Sequence, residues 1–204
     1  MIKAALFDYG GVITSGGAGN ELAERLAVNL GITTEQAADY IYPQFNDYIK
    51  SEINEKELWE RIERQYGHPI STGNRDIWNK WDSMIVIPEM NRLVADLKAK
   101  GIIVGVLSNV IPNTENAIRL NGGYDGFDFT VLSCDMGKAK PDPKLYKIAI
   151  NEVQKRIPSI KTNEIVFIDD QDINLNPARK LGLRTVLAKN SEDTIAEIKE
   201  LIKV

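Results

Sequence analysis

Ile2-Lys3-Ala4-Ala5-Leu6-Phe7-Asp8-Tyr9-Gly10-Gly11-Val12 is an apolar run that drives into one carboxylate and then breaks on two glycines. A short apolar run bounded by turn residues reads as a buried strand. Its acid then stands at the strand's carboxyl end, which is where open α/β sheets bind their ligands. Two later stretches have the same form: Ile102–Leu107 runs into Ser108-Asn109, and Ile165–Ile168 runs into Asp169-Asp170. If the three strands lie side by side and parallel, Asp8, Ser108 and Asp170 converge on one crevice from positions far apart in sequence.

Between the first two strands the pattern changes. Thr14–Gly19 reads as a flexible connector, and Leu22, Leu26 and Leu30 then recur at helical spacing, so 20–30 is expected to be a helix closed by Gly31. Thr33 with Gln36, and Asn54 with Glu57, look like two further helix starts. A short fourth helix is expected over Asp76–Met84. No strand pattern interrupts 15–83, so this segment is expected to be an all-helical cap inserted in a core made of 1–14 and 84–204. Its aromatics, Tyr40, Phe45, Tyr48, Trp59, Trp78 and Trp81, are expected mostly to pack, with one or two shaping a pocket. The connectors Thr14–Gly19 and Met84–Pro88 would be its hinge.

After residue 84, strands and helices alternate. Met90, Leu93, Val94 and Leu97 make a buried stripe in a helix opened by Pro88. Ala117, Ile118 and Leu120 mark the next helix, Phe127–Leu132 a third strand, and Asp142-Pro143 the capped start of a helix that places Lys140 just before it. A helix over Leu175–Leu181, a strand at Arg184–Leu187 and a final helix capped by Ser191 complete the pattern. The expected fold is α/β: a Rossmann-like parallel sheet flanked by helices, with the inserted helical cap.

The 204 residues carry 25 basic and 29 acidic side chains, a net charge of −4, and no stripe of lysine and arginine interleaved with aromatics. Nucleic acid is therefore not an expected partner. No apolar run approaches the roughly 20 residues of a membrane span. The one cysteine, Cys134, forms no internal disulfide and reads as a small apolar residue, and the lone histidine, His68, sits between Gly67 and Pro69 in an expected turn. A cytoplasmic location follows as an expectation.

Asp8, Ser108, Asn109, Lys140, Asp169, Asp170 and Asn174 gather at the expected strand ends. Carboxylates crowd together only if cations hold them, because like charges at close range raise one another's pKa. Magnesium suits such a set, with one or two carboxylates, a carbonyl and a phosphate oxygen around it. The group reads as a phosphoryl site with an aspartate nucleophile.

In order and spacing, Phe7-Asp8-Tyr9-Gly10-Gly11-Val12, Leu107-Ser108-Asn109, Lys140-Pro141-Asp142-Pro143 and Phe167-Ile168-Asp169-Asp170-Gln171-Asp172-Ile173-Asn174 resemble the four motifs of the haloacid dehalogenase (HAD) superfamily. The insert resembles its helical-cap class. By that resemblance Asp8 would be the nucleophile, Ser108, Asn109 and Lys140 would bind the phosphoryl group, and Asp8, the Gly10 carbonyl and Asp170 would hold Mg2+, supported by Asp169 and Asn174. Lys138 reads instead as a loop lysine. A small phosphorylated metabolite would be the substrate.

One position departs from the pattern. Phosphatases of the superfamily usually carry a second aspartate two residues after the nucleophile, as acid and then base, and here that residue is Gly10. Three readings stay open: a phosphatase for esters whose leaving group needs little protonation, a phosphate-binding regulatory module with low or no turnover, and a 2-haloacid dehalogenase. Members with glycine at this position include sugar-phosphate phosphatases. The Asp169-Asp170 pair, which suits a metal, speaks against the dehalogenase.

Overall fold

A strand that is apolar at every position has to be covered on both faces, and that requirement arranges this molecule. In the computed structural model, residues 1–15, 21–75, 77 and 85–202 are described. The order of elements is β1 (Ala4–Phe7), β2 (Thr14–Ser15), α1 (Glu21–Leu30), α2 (Thr34–Tyr48), α3 (Glu55–Tyr66), β3 (Ile85–Val86), α4 (Pro88–Ala99), β4 (Ile103–Ser108), α5 (Pro112–Leu120), β5 (Phe129–Leu132), α6 (Ser133–Met136), α7 (Pro143–Arg156), β6 (Ile165–Asp169), α8 (Asp172–Lys180), β7 (Arg184–Leu187) and α9 (Ser191–Ile202). Five strands form one sheet in the order β5-β4-β1-β6-β7. All its pairings are parallel.

Alternation along the strands assigns side chains to the two faces. Ala5 and Phe7 of β1, Val104 and Val106 of β4, and Val166 and Ile168 of β6 pack with Met90, Leu93, Val94 and Leu97 of α4 and with Ile198 and Ile202 of α9. Ala4 and Leu6, with Ile165 and Phe167, pack on the opposite face against Leu145, Tyr146 and Ala149 of α7 and Leu175 and Ala178 of α8. The stripe expected in α4 is the buried one.

β1 lies at the centre, and the chain winds outward from it through β4 and β5 on one side, then through β6 and β7 on the other. The β1/β6 boundary is therefore the point where the winding reverses, the place where open α/β sheets bind ligands. Phe7 stands level with Val106 and with Ile168, and the Asp8 amide donates to the Ile168 carbonyl at 2.9 Å. Asp8 thus leaves β1 beside Asp169.

The helices α1–α3 share an apolar core built on Leu22, Leu26, Ile41, Leu58, Trp59 and Ile62, and that core also takes in Ile111 and Ala139 from loops at the sheet's carboxyl end. Thr33 and Gln36 form the reciprocal cap expected at the start of α2. Asn54 caps α3 by accepting from the Glu57 amide, but Glu57 turns its carboxylate to Arg61 at 2.7 Å instead of reaching back.

Several details differ from the sequence reading. Ser15 lies in β2, which pairs antiparallel with β3 where the chain enters and leaves the helical segment; strands of two residues carry no detectable period. Asn190, not Ser191, caps α9 by accepting from the Asp193 amide at 2.9 Å, because Ser191 is already helical. Helix α8 begins at Asp172, three residues before the expected start. Of the apolar residues that mark α5, Ile118 is buried and Leu120 is exposed at its end. The expected helix at Asp76–Met84, together with Trp78, Trp81 and most of the connector at Thr14–Gly19, lies outside the described residues.

Leu6 is fully buried in the central strand whereas Ile173 is exposed. Leu6→Ala is expected to lose about 2–5 kcal/mol in urea denaturation, from lost transfer energy plus a cavity, while Ile173→Ala stays within about 0.5 kcal/mol of the parent.

Candidate active site

Asp8 continues the parity of Ala4 and Leu6, and Asp169 that of Ile165 and Phe167, so both carboxylates lean toward the α7–α8 side of the sheet. Lys140 comes from the turn before α7, where Asp142 caps the helix by accepting from the Lys144 amide at 2.9 Å. Its ammonium enters between the two acids, 2.9 Å from Asp8 Oδ2 and 2.6 Å from Asp169 Oδ2. It also lies 5.6 Å from the centre of the Phe167 ring. Asp8 Oδ1 accepts from the Tyr9 amide and from Ser108 Oγ, each at 2.7 Å.

Asp169 is fully buried, and its second oxygen accepts from the Gln171 amide at 2.9 Å and from Asn174 Nδ2 at 3.0 Å. Tyr146 holds Asn174 in turn, donating to its carbonyl at 2.7 Å. Asp170 is different. Its Oδ1 is buried with no hydrogen-bond partner among the described residues, although carboxylate oxygens of Asp8, Asp169 and Asp170 all lie within 4.8 Å of one another.

The electrostatics follow from that crowding. Burial, then the neighbouring Asp8 charge, push the Asp169 carboxyl up to about 6 against the pull of Lys140. The same causes raise Asp170. Burial works against the Lys140 ammonium, but Asp8 and Asp169 together outweigh it and hold its pKa above the ordinary lysine value. Three ionised carboxylates against one ammonium leave two negative charges in a largely buried space. A divalent cation would cancel them, and the unpartnered Asp170 oxygen is a hard ligand of the kind such a cation takes. The residues present fit one.

The structure therefore joins Asp8, Ser108, Lys140, Asp169 and Asn174 by direct hydrogen bonds, with Asp170 beside them. Gly10 is adjacent in the turn after β1, where it bridges to Thr14. Asn109, expected on the phosphoryl group, uses its side chain on the Lys140 main chain. Lys138 bonds the neighbouring Gly137 carbonyl, at 2.8 Å. His68 is exposed, as a turn residue would be. Cys134 is half-buried, and burial followed by the Asp135 charge pushes its thiol up to about 12, far from a reactive thiolate.

Three supporting residues escaped the sequence reading. Gly11 has φ 80°, and a Cβ there would stand 2.4 Å from Asp170 Oδ2; the second glycine of the Gly10-Gly11 pair was its signal. Ser133 accepts from the Val110 amide and donates to the Val110 carbonyl, at 2.9 and 3.1 Å. Asn113 of α5 meets Tyr48 of α2 and donates to Glu55 of α3 at 3.0 Å. Neither of the last two has a local pattern that would betray it.

Buried carboxylates, a hydroxyl and an ammonium at the carboxyl ends of a parallel sheet define a carboxylate-centred α/β hydrolase. The chain belongs to the haloacid dehalogenase-like hydrolases, whose family model matches residues 2–182. It is 23% identical over 209 residues to the D-ribitol-5-phosphate phosphatase of Bacteroides thetaiotaomicron, with 97% of each protein covered. A solved HAD-family enzyme from Bacteroides thetaiotaomicron, in complex with magnesium and inorganic phosphate, is similar at TM-score 0.72 and 27% identity, covering 95% of this chain and 97% of that one. Over 78 residues the chain is 41% identical to bifunctional epoxide hydrolase 2 of Rattus norvegicus, which is 38% of this chain and 13% of that much longer protein. Among the described residues no helix is long and apolar enough to cross a membrane.

Folding costs more when Asp170 is ionised, because its folded pKa is raised. At neutral pH, Asp170→Asn is therefore expected to raise the melting temperature of the metal-free protein. Magnesium at 100 times its dissociation constant should stabilise the parent by about 2.7 kcal/mol, and Asp170→Asn and Gly11→Ala should lose most of that gain in calorimetric melts.

Proposed function

We propose that the protein is a magnesium-dependent phosphatase that hydrolyses a small phosphomonoester through an aspartyl-phosphate on Asp8. The observation that carries this reading is the placement of Asp8, with one oxygen held by Ser108 and the other by Lys140. In this reading both donors turn to the phosphoryl oxygens as substrate enters. An Asp8 oxygen then attacks phosphorus, the bond to the ester oxygen breaks, and the leaving oxygen keeps the electron pair, departing as an anion that takes its proton from water. Water next adds at phosphorus, the bond to Asp8 breaks, and inorganic phosphate leaves.

Asp8, the Gly10 carbonyl and Asp170 would hold magnesium, with Asp169 and Asn174 fixing the surroundings. When bound, the ion supplies positive charge toward the phosphoryl oxygens. The relatives support this choice: one is a phosphatase of a small phosphorylated polyol, and one was solved with magnesium and phosphate. We assign 15–83 the role of a cap over a core of 1–14 and 84–204, closing the crevice against water. We propose a cytoplasmic location, which the single cysteine, Cys134, present as a free thiol, suits.

Gly10 shapes the substrate class. Among the described residues that touch Asp8, none is a free acid: Ser108 is a weak one, and Lys140 has its pKa raised by two carboxylates. Substrates that leave as stabilised anions, such as aryl phosphates or sugar 1-phosphates, then suit the site best. The opposing reading, a binding module, also draws on Gly10.

Phosphate release from a panel of esters is expected to need magnesium and to fall by roughly 10³-fold or more in Asp8→Asn. No release from any ester, with phosphate and magnesium bound, would sink the enzyme reading in favour of the module. Gly10→Asp is expected to raise turnover of alkyl phosphates by about 10²-fold and to change aryl phosphates little, since an added acid helps only the poorer leaving group.

A further inference from the structure

Lys140 is held twice, once by its ammonium and once by its main chain. The residue is 5% exposed, so its N–H and C=O both need partners, and it lies in a turn outside any helix or strand. One side chain satisfies both. Asn109 Oδ1 accepts from the Lys140 amide at 2.7 Å, and Asn109 Nδ2 donates to the Lys140 carbonyl at 2.9 Å. A primary amide offers a donor and an acceptor in one plane, whereas a carboxylate has no donor.

The loop that presents Asn109 is fixed in the same manner. Ser133 grips both main-chain groups of Val110, and Ser108 on the other side donates to Asp8. Three consecutive residues therefore tie together the nucleophile, the Lys140 backbone and the end of β5. The turn after Lys140 is closed by the Asp142 amide, which donates to the Ala139 carbonyl at 2.8 Å. A lysine side chain has several rotatable bonds, so its ammonium sits reproducibly between two acids only if its Cα is fixed.

We propose that Asn109 is a positioning residue, whose side chain acts on the phosphoryl group through Lys140 rather than by touching it. This rests on the phosphatase reading for the identity of the ligand, though not for the geometry. Loss of the amide unpairs two buried main-chain groups and releases the Cα, so the ammonium no longer bridges Asp8 and Asp169.

A double-mutant cycle on inorganic phosphate binding, read by calorimetry with saturating magnesium, tests the idea in the full chain. Asn109→Ala should weaken binding about tenfold when Lys140 is present and less than about twofold in the Lys140→Ala background, the non-additivity expected of residues acting as one unit. An equal loss in both backgrounds would show that Asn109 meets phosphate itself and would overturn the proposal. If the alanine variant is too unstable, Asn109→Ser serves in its place. A crystal structure of the variant decides independently of phosphate. An ammonium displaced from Asp8 supports the positioning role, and one left in place between the acids refutes it. Failure of the wild type to bind phosphate would sink the phosphatase reading while leaving this structural comparison intact.

Discussion

The buried ammonium of Lys140, shared between Asp8 and Asp169, is the interaction on which the rest of the site depends. Without it two carboxylates would face each other across a space with little water, and one would have to take up a proton. A buried ion pair is weak evidence for stability, because desolvating both partners costs about as much as their attraction returns. The arrangement is better understood as placement. The register of β1 against β6 delivers the two acids side by side, and the capped start of α7 delivers the lysine. Asn109 then fixes the lysine's main chain.

Asp170 completes that logic by being left out of it. Both oxygens of Asp169 accept hydrogen bonds from the protein, whereas Asp170 keeps a buried oxygen without a partner among the described residues. Of two adjacent acids, the first is tied down to orient Lys140 and Asn174, and the second is held available. The net negative charge that remains is a standing demand for a cation. Gly11 allows the close approach, since any side chain there would collide with the Asp170 carboxylate.

The five parallel strands were legible because each is a short apolar run bounded by turns, and the site because its acids and serine close those runs. α4 was legible from its 3.6-residue stripe. What escaped detection is long-range or very short. The grip of Ser133 on Val110 spans 23 residues, that of Asn109 on Lys140 spans 31, and the Tyr48–Asn113 contact spans 65. Such pairings leave no period in a local window. The β2–β3 ribbon is too short to show one, and at α9 two adjacent capping residues, Asn190 and Ser191, competed for one role.

The helical segment is less separate from the site than a simple lid would be. Ile111 follows the Ser108–Val110 loop and Ala139 immediately precedes Lys140, yet both are buried in the apolar core of α1–α3. Asn113 adds a polar clasp to α2 and α3. A shift of the helices is therefore felt at the two loops that carry Ser108 and Lys140, because close-packed side chains transmit displacement. The two glycines after the nucleophile complete the contrast. Gly11 adopts a left-handed φ that a side chain would strain, but Gly10 is not among the residues with positive φ. The φ angle at Gly10 thus does not by itself demand glycine, and in the phosphatase reading the lack of an acid there makes the leaving group, more than the fold, the property that selects the substrate.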